Sequence, residues 1–344
     1  MAVGRLPESG ADLCSQPTVS RLENLPGPVA LKRMMAAMVE LFCDSFGQVS
    51  RRIVLDIDDT EDRVHGGQQL ALFNAHYDSR CFQPIHIYEA ASGKPVAIIL
   101  RPGKTPDGAE VALVLRHVIG RIRARWPAVE IVVRGDSHYG RPEAMAWCER
   151  KRIGYIFGLA GNAVLLGRVS PLAEDAAIGR IGGEGEKVRR YGDFRYAAKS
   201  WKVERRVVAR IEAGPQGADS RFVVTNLAGL PKSLYEKVYC ARGQAENLIK
   251  AHASDRTSCT KATANQFRLL IHTAAYWLML TLRGLAPRTS FWRDAQFDTI
   301  RLCLIKIAGR VIELVTRIKL ALPTAYPYQA GFAMLAGCIA KLPP

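Results

Sequence analysis

The feature that most constrains the fold is a regular alternation of strand and helix patterns between Arg51 and Phe157. Short apolar runs of strand length alternate with longer amphipathic stretches, and Gly, Pro or Asp residues separate them. The predicted strands are Ile53–Asp58, Phe82–Tyr88, Pro95–Leu100, Val129–Arg134 and Tyr155–Leu159, and the predicted helices are Gly108–Trp126 and Arg141–Arg152. This order of elements predicts a mixed α/β sheet with helices on its faces.

The segments on either side of this alternation have different patterns. Residues 1–50 are predicted to be a helical N-terminal segment, and residues 51–160 the first part of the α/β core. Residues 161–230 are rich in Gly and charge and are predicted to form a β-rich insertion. Residues 231–344 are predicted to complete the core with helices. The predicted helices of the flanking segments are Ser15–Glu23, Leu31–Phe46, Tyr239–His252, Thr263–Leu285 and Ala295–Leu320.

The net positive charge of the chain limits the classes of partner that we expect it to bind. The chain has 48 Lys and Arg against 32 Asp and Glu, a formal net charge of +16. Nucleic acid is the commonest partner of a folded protein this basic, and an anionic membrane surface comes second. The longest apolar helix candidate, around residues 269–282, is too short to span a bilayer. The eight cysteines include no CxxC pair, so a zinc ribbon is not indicated, and we predict a cytoplasmic, nucleoid-associated protein without membrane contact.

Carboxylates stand at the ends of two predicted strands. Asp56 and Asp58 share one face of the first strand, because side chains alternate along a strand. Two carboxylates on one apolar strand face repel each other unless a cation or a proton neutralises them. Asp136 follows the strand Val129–Arg134 and lies beside Asp58 if the two strands are neighbours. Oxygen ligands of this kind suit Mg²⁺ or Mn²⁺.

The third acidic position, Glu246, is on a predicted helix. Arg242, Glu246 and Lys250 share one face of this helix, and Tyr239 stands three residues before Arg242. A surface ladder of salt bridges has the same spacing, so the helix alone does not indicate a site. Two acids at adjacent strand ends and one helical acid, however, can hold two metal ions about 3.5–4 Å apart. Arg242 and Lys250 would then be phosphate ligands.

A second set of cations lies in the predicted insertion. Between Arg180 and Arg210 there are ten Lys and Arg against four Asp and Glu. Aromatic residues stand among these cations, a pattern that suits phosphate contact combined with base stacking. A solvated surface sheet with half-buried aromatics gives the same pattern. The candidate DNA contacts are Tyr239, Arg242 and Lys250 on the helix, and Arg189, Arg190, Lys202 and Arg205 in the insertion.

Three sequence blocks carry a family resemblance. The first is residues 55–60 (LDIDDT) with residues 65–69 and 73–78, the second is residues 134–139 (RGDSHY), and the third is residues 242–250 (RGQAENLIK). In this order and spacing they resemble the DDE domain of bacterial insertion-sequence transposases. The nearest branch is the one numbered thirteen-eighty, within the larger group numbered four. The resemblance extends from about Ser15 to the C-terminus.

The resemblance implies a fold, a triad and a reaction. The fold would be an RNase H-like mixed sheet with flanking helices, a β-rich insertion before the catalytic glutamate and a helical C-terminal part. The catalytic triad would fall on Asp58, Asp136 and Glu246, with Asp56 as a further candidate metal ligand. The enzyme would use Mg²⁺ or Mn²⁺ to hydrolyse phosphodiesters at terminal inverted repeats and to transfer strands to target DNA. It would act as a homodimer assembled on double-stranded DNA.

Two departures from the family pattern follow from the same comparison. The last position of the family's helix pattern, usually Lys, is Ala253 here, and Lys250 is the candidate to take that role. Relatives usually carry more sequence before the block at Ser15. We therefore expect a copy shortened at the N-terminus, in which residues 1–50 are the remnant of a DNA-binding domain.

Two other functions share parts of the pattern. Asp56, Asp58 and Thr60 also match haloacid dehalogenase-like phosphatases, in which Asp56 would be the nucleophile and Asp58 the general acid and base. Gly140 stands where that family has a further acid, and the Glu246 helix would have no role in it. The other alternative is a catalytically inactive DNA-binding transposon remnant, which keeps the charge and loses the metals.

Overall fold

An eight-stranded mixed sheet is the centre of the main structural unit. The protein is described by a computed structural model that covers residues 15–183, 185–252 and 257–341, apart from the side chains of Ala251 and Leu320. These residues fall into two compact units, which are Pro28–Leu270 and the described residues before and after that range.

The sheet belongs to the unit Pro28–Leu270, and its strand order is β6-β5-β1-β7-β8-β11-β10-β9. Its strands are β1 (Arg52–Asp59), β5 (Ile85–Glu89), β6 (Lys94–Ile99), β7 (Glu130–Gly135), β8 (Gly154–Leu159), β9 (Val188–Tyr196), β10 (Arg205–Gly214) and β11 (Gly217–Thr225). Strands β1, β7 and β8 are parallel, whereas β5 is antiparallel to β1 and to β6. The arrangement of β6, β5, β1, β7 and β8 in the sheet confirms the predicted RNase H-like fold.

Helices cover both faces of this sheet. They are α2 (Pro28–Asp44), α3 (Gly108–Arg125), α4 (Pro142–Arg150), α5 (Ala163–Arg168), α6 (Ser170–Ile181), α7 (Pro231–Ser233) and α8 (Gly243–His252). Between α7 and α8 the chain forms a π-helical turn, Leu234–Tyr239, and a 3₁₀ turn, Cys240–Arg242. Asp107 caps α3 by accepting a hydrogen bond from the Glu110 amide at 2.8 Å.

Different helices pack on the two faces of the sheet. On one face, Arg134 of β7 donates to the Val238 carbonyl at 2.7 Å, so the segment 234–252 lies over the face that carries Asp56 and Asp58. On the other face, Tyr155 of β8 donates to Glu149 of α4 at 2.8 Å. Neighbouring residues of a strand point to opposite faces, which places α4 away from the carboxylates.

The segment predicted as a β-rich insertion continues the main sheet. Strands β9, β10 and β11 are antiparallel, and β11 pairs with β8 from Phe222 opposite Leu159 to Thr225 opposite Ile156. The segment begins with α5 and α6, which the sequence did not indicate. Backbone pairing with β8 satisfies the sheet edge that would otherwise be open, so the strands do not form a separate lobe.

Shorter strands were missed because a strand of two to four residues leaves almost no pattern. The strands β2 (Asp62–Arg63), β3 (Leu72–Asn74) and β4 (Ser79–Phe82) form a small sheet of their own in the order β2-β4-β3. They lie in the long connection between β1 and β5.

The second unit contains helices and a hairpin. Its elements are α1 (Gln16–Asn24), a 3₁₀ turn (Phe291–Arg293), α10 (Phe297–Ile300), a π turn (Arg301–Ile305), β12 (Arg310–Leu314), β13 (Arg317–Ala321) and α11 (Gln329–Ile339). The helix α9 (Ala262–Leu285) begins in the main unit. Trp292, Ile300, Leu304 and Leu335 form the core of the second unit.

The predicted helix Ala295–Leu320 is wrong in its second half. Residues 310–321 form an antiparallel hairpin, with Arg310 opposite Ala321 and Leu314 opposite Arg317. The β-branched residues Val311, Ile312 and Ile318 favour a strand over a helix. No helix in the described residues combines the length and apolarity needed to cross a membrane.

Candidate active site

Two aspartates meet at one edge of the central sheet. Strands β1 and β7 are parallel, with Asp56 opposite Arg134. Asp58 and Asp136 each stand two residues further along, so both lie at the carboxyl ends of neighbouring strands. The negative charge of Asp136 helps to raise the pKa of Asp58, which shows that the two carboxylates interact. The prediction that these two strands are neighbours is confirmed.

Asp58 is a buried carboxylate with one cationic partner in the part of the chain that the structure describes. Its Oδ2 accepts a hydrogen bond from Nη1 of Arg242 at 2.7 Å, and its Oδ1 accepts one from the Asp59 amide at 3.1 Å. The pKa of Asp58 is raised to about 7, mainly by burial and to a smaller extent by the nearby Asp136 and Asp59, while Arg242 opposes the shift. A carboxylate held in this way gains from any added positive charge.

Asp136 is the more accessible of the pair. Its Oδ1 accepts a hydrogen bond from the His138 amide at 2.8 Å, which fixes the turn after β7. The His138 imidazole Nδ1 lies 3.7 Å from Asp136 Oδ2 and 3.4 Å from Asp59 Oδ2. The hydrogen bond to Asp59 is the main cause that raises the pKa of His138. The side chain of Asp136 is partly exposed and lines a cavity.

Asp136 and its turn separate two cavities. One, of about 390 Å³, is lined by Asp136 together with Arg221, Arg242 and Tyr239. The other, of about 430 Å³, is lined by Ser137 and His138 and extends to Trp201. The first cavity therefore combines a carboxylate with two guanidinium groups, the groups that a phosphodiester and a metal ion would need.

Gly158 leaves the space that this arrangement needs, and the sequence analysis did not identify it as a site residue. A Cβ added at Gly158 would lie 2.8 Å from the Ser137 amide nitrogen and 2.8 Å from the Tyr239 hydroxyl. Any side chain would therefore push Tyr239 or the turn after Asp136 away. A glycine at the end of a predicted strand was the available signal, because such a glycine often marks a close approach.

Asp56 was predicted as a metal ligand, and the structure gives it a different partner. Both of its oxygens accept hydrogen bonds from Arg134, at 2.6 and 2.7 Å. The exposed fraction of the side chain is 1% for Asp56, 12% for Asp58 and 29% for Asp136. Asp56 therefore has neither a free oxygen nor access from solvent, so we remove it from the candidate ligands. The same burial leaves a phosphatase nucleophile at Asp56 without a route to substrate.

Asp59, the third acid of the first block, serves the turn after β7. It accepts a hydrogen bond from the Tyr139 hydroxyl at 2.9 Å and a longer one from Gln83 at 3.4 Å. Tyr139 is fully buried, so this contact ties β1 to the segment that carries Asp136.

Glu246 and Lys250 are exposed on α8. Glu246 is close enough to Arg242 for its charge to raise the pKa of that guanidinium, though less than Asp58 does. In residues 15–183, 185–252 and 257–341, no group of three or more His, Cys, Asp or Glu side chains is positioned to hold a metal ion. Ala253, the departure from the family helix pattern, lies outside the described residues.

The donor chemistry of Asp58 and Asp136 fits a hard divalent cation. Both are carboxylates on neighbouring strand ends, and among the described residues the buried Asp58 has only Arg242 as a compensating charge. Oxygen ligands that keep part of the coordination shell open to water are those that Mg²⁺ and Mn²⁺ take.

Of the predicted DNA contacts in the insertion, one is an exposed cation and the others are already paired with acidic side chains. Lys202 is exposed, whereas Arg189 and Arg190 form ion pairs with Glu212 and Asp175. Arg205 does not fit the prediction. It is buried, donates to both oxygens of Glu149 at 2.7 and 3.0 Å and lies over the Trp201 ring, so its guanidinium is already occupied within the protein.

Comparisons with known proteins give a family match over the whole chain. Residues 1–344 match the family described as Transposase DDE domain group 1. Among solved structures, the chain is similar to a piggyBac transposase in a synaptic complex with hairpin DNA, with 8% sequence identity and a TM-score of 0.40. That match covers 83% of this chain and 64% of the piggyBac chain. A comparison with curated protein sequences gave no match. Because the family match spans all 344 residues, the chain belongs to the transposase DDE domain family.

Proposed function

We propose that this protein is a DNA transposase that cuts phosphodiesters at the ends of an insertion sequence and joins them to target DNA. The observation that carries the proposal is the pairing of Asp58 with Asp136 at the ends of parallel strands, beside a cavity lined by Arg221 and Arg242. Carboxylates and guanidinium groups on one cavity suit a phosphodiester held next to a cation.

The metal site of the proposal uses three carboxylates. Asp58 and Asp136 would hold Mg²⁺ or Mn²⁺, and Glu246, one helical turn after Arg242, is the third ligand of the proposed triad. When bound, the metal ions would supply an activated water or 3′-hydroxyl and charge stabilisation for the leaving oxygen.

The remaining residues of the site have positioning and charge roles. The His138 amide holds Oδ1 of Asp136, and the His138 imidazole lies 3.7 Å from its other oxygen, which is the one proposed to bind the metal. Asp59 is bound by Tyr139 and stays out of the cavity's chemistry. Arg221 lines the cavity next to Asp136 and would neutralise the phosphate.

Arg242 has two roles in the proposal. In this structure it neutralises Asp58 through one hydrogen bond of 2.7 Å. A cation at Asp58 would replace that positive charge, and Arg242 would then be free to bind a phosphate oxygen in the same cavity. The guanidinium thus keeps the buried carboxylate neutralised before the metal and the DNA arrive.

The finer parts of the function rest on the sequence blocks. We propose the branch numbered thirteen-eighty as the origin of the chain, terminal inverted repeats and target DNA as substrates, and a homodimer assembled on DNA. Two element ends must be brought together for transposition, and a homodimer supplies one active site for each.

The test is metal-dependent cleavage of a duplex that carries the element's own terminal repeats. We expect nicking by the unmodified protein with Mg²⁺ or Mn²⁺, and its loss in Asp136→Asn and Glu246→Gln. The matched control is Asp107→Asn, because this aspartate caps α3, lines neither cavity beside Asp136, and asparagine caps a helix equally well. Binding of Mn²⁺ gives a second readout, and we expect it to weaken in Asp136→Asn and not in the control. Undiminished cleavage by Asp136→Asn contradicts the proposal.

A further inference from the structure

A basic cleft lies on the face of the main unit that α3 and α4 cover. It has a volume of about 790 Å³ and is lined by Arg116, Ile119, Gly120, Arg123, Trp147, Arg150, Lys151 and Ile153. Four of these eight residues are Arg or Lys, and none is Asp or Glu. The cleft shares no lining residue with the two cavities beside Asp136.

The cleft lies at the opposite end of the strands from the candidate active site. Asp136 follows the carboxyl end of β7, whereas Ile153 directly precedes the parallel strand β8. Strand β7 has six residues, which correspond to about 20 Å at the usual rise. DNA in this cleft would therefore be a different part of the duplex, or a different duplex, from the one that is cut.

The helix geometry brings the cations together. Arg116, Gly120 and Arg123 follow one another at spacings of four and three residues, so they share one face of α3. Trp147 and Arg150 are three residues apart on α4 and share a face, Lys151 follows as the C-cap of α4, and the two helices pack side by side. Cations at a helix C-terminus are favourable by themselves. That effect does not account for Arg116, which is in the middle of α3.

These cations have no acidic partners in the part of the chain that the structure describes. Arg116, Arg150 and Lys151 are exposed, and Arg123 donates to the Pro127 carbonyl. The adjacent acid, Glu149, is committed to Arg205 on the other side of α4. By contrast, two other cations of α3 are each paired with an acid of α2, Arg121 with Glu40 and Arg125 with Asp44.

The floor of the cleft is apolar and open. Ile119, Trp147 and Ile153 are buried beneath the cations. A Cβ at Gly120 would meet nothing within 4 Å, so packing does not require a glycine in the middle of this helix. A glycine in the middle of a helix lowers the stability of that helix. In return it leaves a surface that another backbone can approach closely.

We propose that this cleft binds the phosphate backbone of duplex DNA, as a contact separate from the active site. Four cations, three of them exposed, over an apolar floor offer charge to a row of phosphates and no buried polar group that would select a small ligand. Such a contact is independent of base sequence and strongly dependent on salt. It adds to the proposed transposase function and can be tested without cleavage.

The experiment measures the affinity of the full chain for a duplex of unrelated sequence at several salt concentrations. The double variant Arg116→Gln/Arg150→Gln removes two cations of the cleft. The double variant Arg121→Gln/Arg125→Gln removes the same charge from α3 outside the cleft. We expect the first to reduce the magnitude of the negative slope of log K against log salt by about 2, since each lost phosphate contact contributes about 0.9. We expect the second to leave the slope unchanged.

The outcomes separate this inference from the proposed function. Equal slopes for the two double variants, both with unfolding midpoints like that of the unmodified protein, would overturn the cleft as a DNA contact. Binding of inorganic polyphosphate or anionic vesicles that depends on the cleft, without any effect on duplex DNA, would also overturn it. If the unmodified protein binds DNA through the cleft but does not cleave with any metal, the cleft stands and the proposed function fails. If Asp136→Asn abolishes cleavage while both double variants bind alike, the proposed function stands and the cleft fails.

Discussion

Two aspartates on one strand face, two residues apart, each meet an arginine, and the two pairs have opposite characters. Asp56 and Arg134 are both buried and share two hydrogen bonds. Asp58 and Arg242 share one hydrogen bond at the edge of a cavity, and Asp136 adds a second negative charge there. The first pair is closed and structural. The second pair has an excess of negative charge, because Asp136 adds to Asp58, and this suits a site that must accept a cation.

The reason for the difference lies in where each arginine comes from. Arg134 is on β7, directly opposite Asp56 in the register, so the sheet itself fixes the pair. Arg242 comes from the 3₁₀ turn before α8, 184 positions along the chain from Asp58. A partner fixed by the sheet cannot leave without breaking the core, whereas a partner on a turn can exchange one contact for another.

The largest expected effect separates the two aspartates by activity. Asp58→Asn removes a proposed metal ligand, and several kcal/mol of transition-state stabilisation correspond to a rate loss of about 10³-fold or more. Asp56→Asn should keep cleavage per folded molecule within about tenfold, a barrier change of no more than about 1.4 kcal/mol, because neither oxygen of Asp56 faces the cavity. The measurement is single-turnover cleavage, with the folded fraction determined by circular dichroism. Equal rate losses in the two variants would remove the distinction between the pairs.

The next effect separates the two arginines by stability. Arg134→Gln leaves Asp56 buried without its cation, which costs about 3–5 kcal/mol of the free energy of unfolding. Arg242→Gln breaks one contact at a cavity edge and should cost at most about 2 kcal/mol. Urea unfolding of both variants at the same pH gives the comparison. A greater loss in Arg242→Gln than in Arg134→Gln would contradict the view that the Asp56 pair is the structural one.

The smallest effect concerns His86, which stands opposite Asp58 on β5. Its ring is fully buried, neither nitrogen has a hydrogen-bond partner among the described residues, and burial lowers its pKa well below the ordinary value of 6.5. The folded state therefore keeps His86 neutral, while the unfolded state takes up a proton below about pH 6.5. This contribution to stability is complete above that pH and falls by about 1 kcal/mol per pH unit below it.

The test compares the unmodified protein with His86→Leu, which fills similar space and cannot ionise. Urea unfolding at about pH 7.5 and about pH 5.5 should show a smaller acid loss in the variant. The same acid loss in both proteins would show that His86 is not the group responsible.

The sequence predicted the central part of the fold because its strands are long and apolar. The alternation between Arg51 and Phe157 predicted β1, β5, β6, β7 and β8 and the helices between them, and the structure confirms each within a few residues. The acidic ends of β1 and β7 were visible for the same reason. Periodicity could not show the hairpin at residues 310–321, since its short apolar runs also fit a helix.

The partners of the charged residues could not be predicted from the sequence. The strand period places Asp56 and Asp58 on one face but does not say which of them meets a cation from the neighbouring strand. Arg205 looked like a DNA contact because it stands among cations, and it is buried against Glu149, 56 positions earlier. The cleft between α3 and α4 was missed because Arg116 and Arg150 lie in two helices whose packing is a tertiary property.

The π turn at Leu234–Tyr239 sets the rotation of the following helix, α8, about its own axis. The Cys240 amide donates to the carbonyl of Tyr235, five residues earlier, so this turn is wider than an α-helical one. Because each residue of an α-helix advances the chain by about 100°, the loss or gain of one residue here would turn a different side of α8 toward β1. The winding of this turn thus decides whether Arg242 reaches Asp58, and a change in the length of this segment should disrupt that contact.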